Sequence, residues 1–473
     1  MKRNILIFSI AILISGSFSC KKWLDVKPGT QVLQNEMFST EAGFNQALLG
    51  SYLQMGTGLY ADNMTITTIS AMAQNYQATS TAHPLIEHSK YNYKASALRS
   101  SIATIWGNMY TAIGGINNIL EHVDGARNVF FKNHYNLVKG EALGLRAYMH
   151  FDLLRMFGPV PVSGMNVKAI PYVKTFSKQV TPMSTADEVI TLCLKDLDEA
   201  EQLLSVYQEI AYNTGTGVDE FTSYTRNHFN YWAVKALKAR IYLYAGDKIK
   251  ALQYAKEVIA AGKFPFVNRN TFNQTRNQDR TFSTEHVFAL NVPLLKKMVD
   301  ERFRLDGNLN YQSGTFYLTN AIMNTLYEVS NGGSTDYRYL YQIRSVNGVS
   351  YSTKFWQDET PANLEIGNQM PMIRLTEMYY IAAEATSDLN EAKNLINEVR
   401  TKRGLEALGT ALNETSRMQE IAKEYNKEFY AEGQVFFYYK RLGILPVPRA
   451  TVTMTNETYV FPLPDNEIEF GNR

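Results

Sequence analysis

HFNYWAVKALKARIYLYAGDKIKALQYAKEVIAAGK, residues 228–263, is the stretch that decides the fold. Ala239 and Tyr242 stand before Gly246-Asp247 and Ala251 stands after it, so two runs of helical apolar period flank a glycine turn. The small residues let two antiparallel helices approach closely, and Tyr242 fills the groove toward a next pair. Such a pair cannot bury its faces alone. The chain must supply further pairs.

It does. The spacing of Ala239, Tyr242, Gly246 and Ala251 is that of a tetratricopeptide repeat. A second pair runs from Met372 to Arg400, with Met378, Ile381, Ala382 and Ala385 on one helix and Ala392, Leu395, Ile396 and Val399 on the other. Its turn is Ser387–Asn390, and Gly404 ends the unit. Upstream, helices are expected over Leu98–Val123 and Glu141–Phe157. The second of these ends in RAYMHFDLLRMFGPVP (146–161), a wide apolar helix face stopped by Gly158-Pro159. Trp106 and Trp232 fall at helical spacing with apolar neighbours and are assigned to the core. Ser39 is placed as the cap of a helix carrying Phe44, Leu48 and Tyr52, and Ser184 or Thr185 as the cap of Asp187–Leu204, with Glu188 in its first turn. Cys193 lies inside that helix as an inert core thiol. Tyr207–Arg226 reads as a loop.

Between the two clear pairs, Pro265–Met370 holds Phe, Tyr, Thr and Asn without a sustained helical period. Val287–Val292 and Tyr351–Trp356 read as strands, and Asn331-Gly332-Gly333 and Asn347-Gly348 as turns. The expected fold is mostly α: a tetratricopeptide-like helical-pair scaffold with an irregular, loop-rich insert carrying short strands. Its divisions are a helical region over 37–264, the insert over 265–370 as the ligand-facing part, and a C-terminal region over 371–473.

The start of the chain reads differently. Met1-Lys2-Arg3 precedes a short apolar run, Ile5–Ile14, and then Gly16–Cys20. That is the pattern of a secretory signal peptide, residues 1–19, and the run is shorter than the about 20 residues a spanning helix needs. Ser19-Cys20 suits lipoprotein processing, which acylates the cysteine, although Ser17 and Phe18 depart from the usual residues before it. Residues 20–36 then form a lipidated anchor and tether. With Cys20 acylated, the second cysteine of the chain, Cys193, has no disulfide partner.

The 473 residues carry 47 basic and 45 acidic side chains, a formal charge of +2 with no basic run, so nothing in the charge points to nucleic acid. There is no H-E-x-x-H, G-x-S-x-G, P-loop, Rossmann fingerprint or C-x-x-C motif. The histidines show no metal-binding spacing, and no catalytic residue, metal or cofactor is assigned. Asp300-Glu301 and Asp358-Glu359 are adjacent pairs whose side chains diverge, a poor geometry for a glycosidase dyad. Glu424, Glu428 and Glu432 recur every fourth residue on one helix face. Lys423 and Lys427 are interleaved with them, and arginines of neighbouring helices can pair with the row, so the row is read as structural.

Several stretches resemble one family in that family's own order. They are Trp23-Leu24-Asp25 with Pro28, the RAYMHFDLLRMFGPVP segment, IRLTEMYYIAAEA (373–385), LINEVRTKRGL (395–405), KEYNKEFYAEGQVFFYYKRLG (423–443) and FPLPDNEI (461–468). Together they are similar to SusD/RagB outer-membrane nutrient-binding lipoproteins of Bacteroidetes. The chain departs from the family at Val435 and Tyr438, where an Arg and an Asp are usual, so apolar-aromatic packing is expected in place of an ion pair.

The resemblance implies a surface-exposed outer-membrane protein, lipid-anchored through Cys20. Such a protein captures oligosaccharides, or peptides as RagB-like members do, and delivers them to a SusC-like TonB-dependent transporter. It implies no catalysis. A tetratricopeptide scaffold that binds only proteins and a secreted hydrolase are the competing readings. Sugar rings stack on aromatic faces while Asn, Asp and Arg reach their hydroxyls. Tyr76, Tyr91 and Tyr93 of the early loop region and Tyr311, Tyr317 and Trp356 of the insert are the ligand-binding candidates, and for each the alternative is packing in the core or facing solvent.

Overall fold

The computed structural model describes residues 34, 36–78, 81–209, 221–274, 278–304, 314–357 and 366–471; the expected signal peptide (1–19), Cys20 and Tyr311 lie outside them. Helix α1 (Glu41–Gly56) is capped by Thr40, whose hydroxyl accepts from Gly43 N at 3.2 Å. The expected cap, Ser39, instead turns its hydroxyl back to the Glu36 carbonyl. A π-helical stretch, Tyr60–Ile69, follows, and then the two long helices α2 (Ser96–Val123) and α3 (His134–Phe157). A two-stranded ribbon, β1 (Lys168–Pro171) with β2 (Met183–Thr185), leads into α4 (Ala186–Leu204). There Thr185 and Glu188 form a reciprocal capping box, and Cys193 is fully buried.

The repeat pair is α5 (Tyr231–Tyr244) and α6 (Lys248–Ala260), turning at Gly246 with φ +84°. Trp232 is only half-buried, not core: it stands on the first turn of α5, and its indole nitrogen donates to the Gln208 carbonyl at 3.1 Å. The insert then contributes β3 (His286–Asn291), α7 (Leu295–Phe303), β4 (Leu318–Thr319), α8 (Asn320–Leu326), α9 (Tyr337–Gln342), β5 (Ile343–Val346) and β6 (Val349–Ser352). It is less irregular than its composition implies. Strand β7 (Gln369–Arg374) returns antiparallel to β3, so Met372–Arg374 is strand where a helix was expected; α10 (Leu375–Ala385) starts one residue later. The chain closes with α11 (Leu389–Lys402), α12 (Glu414–Glu428), α13 (Gln434–Leu442) and α14 (Asp465–Phe470).

The helices pack in succession: α2 on α3, α3 on α4, α4 on α5, α5 on α6. The array then skips the insert, because α6 packs directly on α10, which packs on α11 and α12. Two stretches that sequence presents as separate pairs are therefore neighbours in one continuous stack.

Helix α3 lies inside that stack, and every residue from Gly140 to Phe157 is buried. An amphipathic reading was too narrow for it, because its polar residues are paired instead of exposed. Arg146 makes a bidentate bridge to Asp196 at 2.7 and 2.8 Å, His228 lies 3.0 Å from Glu141, and Arg155 pairs with Asp152. Its last carbonyls, Met156 and Gly158, receive the ammonium of the fully buried Lys440 at 3.0 and 2.8 Å. Val435 and Tyr438 are buried too, with Tyr438 stacked on Tyr425 at 4.5 Å, the apolar-aromatic packing expected at these two positions.

Glu424 and Glu428 share a face of α12; Glu432 lies past the helix end, in the turn before Gly433. Arg338 of α9 reaches Glu424 at 2.9 Å and Glu428 at 2.8 Å, and Arg403 lies 2.8 Å from Glu428 and 2.8 Å from Glu285. Arg374 bonds Glu428 and Glu432, and Lys354 meets Glu432 at 2.8 Å. All are buried. Burial alone would raise the Glu428 carboxyl, but Arg403, Arg374 and Arg338 together hold it well below the usual range. Glu424 is held down to about 2, against burial, by Arg338, Lys427 and Arg400.

Removing one member of such a cluster strands the others. Glu428→Gln is expected to cost about 3–5 kcal/mol, read as a drop in the urea midpoint. Because these carboxyls are depressed in the folded state, their stabilisation is full above the ordinary glutamate range and is lost as pH falls through it toward about 2. A urea-midpoint series should therefore fall steeply below about pH 4.5, and more gently in Glu428→Gln.

Candidate functional site

The early loop and the insert meet. Gln77 N donates to the Tyr317 carbonyl at 2.8 Å, and His83 Nε2 lies 3.2 Å from the Thr315 carbonyl. Along the extended approach to β4, successive side chains alternate. Phe316 points inward, where Tyr76 stacks on it at 4.4 Å, and Tyr317 points to the other side. Tyr317 and Trp356 both pack on the Val349–Tyr351 segment of β6, and the Trp356 and Tyr351 rings lie 5.9 Å apart. A turn closed by Trp356 N on the Thr353 carbonyl at 3.0 Å holds the indole there.

Three guanidinium groups surround that indole: Arg304 at 4.8 Å, Arg344 at 5.7 Å and Arg280 at 5.9 Å from the ring centre. Each comes from a different part of the insert. Arg280 donates to Thr353 Oγ1 at 3.0 Å, and Arg304 pairs with Asp300 at 3.0 Å, so both are held in position. The Trp356 indole N–H is buried without a hydrogen-bond partner among the described residues. A half-buried indole with guanidinium groups over its ring puts N–H donors beside apolar surface, which suits a ligand that has both apolar faces and oxygen acceptors. Tyr317 and Trp356 are thus brought together; the arginines around them had no sequence signal, since nothing local links 280, 304 and 344.

The other candidates go elsewhere. Tyr76 is 3% and Tyr91 6% exposed, which makes both core side chains. Burial pushes both phenols up, and the Tyr91 hydroxyl is spent on the Met72 carbonyl. Tyr93 is half-buried and turned toward the C-terminal segment, with its hydroxyl on the Thr458 carbonyl at 2.7 Å and its ring 6.1 Å from Phe461. Tyr311 lies outside the described residues. Among the described residues no group of His, Cys, Asp and Glu is placed to hold a metal ion. Asp300 is paired with Lys296 and Arg304, and the carboxylates of the α12 row are saturated by cations.

The platform rests on a buried carboxyl. Asp279, the residue before Arg280, accepts from Ser283 N at 2.8 Å and Ser283 Oγ at 3.0 Å, and burial pushes it up to about 6.

Comparison with known proteins adds a context. Residues 22–243 match the SusD-like family described as "Starch-binding associating with outer membrane", and residues 270–458 match the SusD family, SusD/RagB. SusD-like proteins P25 and P38 of Formosa agariphila are 22% identical over 302 residues and 25% identical over 258 residues. Those stretches are 61% and 54% of this chain and 51% and 45% of the relatives, so the chain spans about half the length of the curated relatives it matches. A SusD superfamily protein from Bacteroides thetaiotaomicron superposes with TM-score 0.69 at 21% identity, covering 92% of this chain and 98% of that one. Surface glycan-binding protein A from Bacteroides uniformis does so with TM-score 0.69 at 19% identity, covering 91% and 98%. These likenesses show the fold.

Asp279 generates a pH dependence opposite in sign to that of the α12 cluster. Its folded-state value is raised, so its contribution is full below the ordinary aspartate range and is lost as pH rises through about 6. Asp279→Asn should flatten the stability profile between about pH 4 and 7, measured as the urea midpoint at each pH.

Proposed function

The chain belongs to the SusD/RagB family, and on that premise we propose that it is a cell-surface, outer-membrane lipoprotein that captures oligosaccharides and delivers them to a SusC-like TonB-dependent transporter. The observation that carries the capture reading is the platform of Tyr317 and Trp356 rimmed by Arg280, Arg304 and Arg344. The guanidinium N–H groups donate to the hydroxyls of a sugar, and Tyr317 and Trp356 supply apolar ring surface beside them. Ligand capture is thereby assigned to the insert, 265–370, carried on the helical scaffold to either side. The description of one matching family as starch-binding, and of one structural neighbour as glycan-binding, supports the same ligand class.

Acylation at Cys20 would hold the protein beside its transporter, so that capture and import are linked by effective concentration rather than by separate encounters. Chemistry on the glycan is left to other proteins. The same guanidinium rim also suits carboxylates, which keeps the peptide-binding, RagB-like reading as the alternative.

The test is binding of the full chain in detergent to neutral and acidic polysaccharides and to mixed peptides, with product release assayed in parallel. Glycan binding without product is expected, and Trp356→Ala should weaken it by about tenfold to a hundredfold, the loss of one stacking contact. Peptide binding alone would favour the RagB-like reading, and released sugar would overturn the capture reading. Cys20→Ala should abolish incorporation of labelled fatty acid and release the protein from the membrane fraction.

A further inference from the structure

We infer that the groove on the outer face of α2 is a second carbohydrate-binding site, selective for uncharged glycans. It lies between α2, the 173–181 segment after β1 and the C-terminal helix α14, with a volume of about 790 Å³, within the range of small-ligand clefts. This inference rests on the capture reading above and extends it to a surface remote in sequence from the insert.

The floor is made of bare helix. Gly107 and Gly114 lie seven residues apart on one face of α2, with Thr111 between them. A Cβ built at either glycine would meet nothing within 4 Å. Glycine inside a helix is less stable than any ordinary residue that fits. No neighbour among the described residues requires glycine at these two places, and the bare backbone there is open to close approach by a ligand.

The walls are aromatic and fixed. Trp106 is nearly buried, and its indole nitrogen donates to Glu467 at 3.2 Å, which ties α14 to α2. Tyr110 packs beside it at 4.8 Å and donates its hydroxyl to the Pro171 carbonyl at 2.9 Å. Opposite, Phe176 and Phe470 are 51% and 71% exposed, a large apolar area to leave in water. Hydroxyl and amide side chains, Thr111, Gln179 and Asn466 among them, alternate with these rings. Only Lys178 and Glu467 carry charge in the lining, with opposite signs. Rings for C–H faces, neutral polar groups for hydroxyls and no net field are the recognition elements of an uncharged sugar chain, not of peptide termini or uronates.

The experiment uses the full chain in detergent with unsubstituted α- and β-glucan oligosaccharides, a uronate oligosaccharide and a mixed peptide as probes. Binding is measured in wild type, Trp356→Ala, Gly107→Leu/Gly114→Leu, and all three substitutions combined. The leucines fill the floor while improving helix propensity, so the midpoint of thermal unfolding should not fall. Trp356→Ala is expected to bind a neutral glucan about tenfold to a hundredfold more weakly than wild type but not to lose it, and adding the two leucines should weaken that residual binding by at least about tenfold more; Phe176→Ala/Phe470→Ala in the same background should do likewise. Residual binding that is absent, or that ignores the groove substitutions, or that follows the peptide or the uronate instead, overturns the second site. If wild type binds no carbohydrate at all, the capture reading falls and takes this one with it. If Trp356→Ala binds as wild type and the groove variant does not, the groove stands and the insert platform falls.

Discussion

One carboxylate fixes how the insert sits on the C-terminal helices. Glu428 accepts from Arg338 in the insert, Arg374 at the end of β7 and Arg403 at the end of α11. No two members of that set lie closer than 25 residues to each other in sequence. Each charge taken from water at this depth costs several kcal/mol, about what good geometry returns. The cluster therefore adds little net stability. What it supplies is an intolerance of alternatives: any arrangement of insert against scaffold that misplaces one arginine leaves charge buried and unpaired. The apolar contacts around it, such as Tyr380 against Tyr425 and Phe429, accept small shifts; the ionic centre does not.

That constraint explains how a loop-rich insert presents a fixed surface. Lys354 is anchored to Glu432 and to the carbonyls of Glu428 and Tyr430, and Trp356 is two residues away. Arg280 is adjacent to Asp279, which is locked to Ser283, and Ser283 is close in sequence to Glu285 of the ionic cluster. Trp356 and Arg280 thus hang from buried anchors a residue or two distant. Both are held by what lies beneath them and not by a regular backbone of their own.

What sequence could tell followed the range of the interactions involved. The Gly246-Asp247 turn, the Thr185–Glu188 capping box and the buried stripe of α2 depend on neighbours within a few residues, and each was legible. The α12 row was legible as a paired, structural feature, though its partners were not. Met372 was misread because pairing with β3, some eighty residues earlier, overrides the helical period that begins at Leu375. Helix α3 looked one-faced because pattern reading counts apolar residues, whereas Arg146, Glu141 and Asp152 are buried by partners that only the fold supplies. The same holds for the site. Aromatic residues could be nominated from composition, but whether Tyr76 lines a surface or a core was decided by Phe316, and no local signal joins them.

The direct packing of α6 on α10 has an evolutionary consequence. Both ends of the insert leave the stack at one seam, so from the scaffold's side the insert is a loop already closed. Lengthening such a loop costs only about 0.6 kcal/mol for each doubling, which a protein of this size absorbs. The stack therefore places little constraint on sequence and length between the seams. A transplanted insert must still bring Arg338 and Lys354 to the host's Glu424, Glu428 and Glu432, and Glu285 to the host's Arg403. Inserts that share this ionic socket form one interchangeable set, however little else they have in common; those that lack it would need a different host.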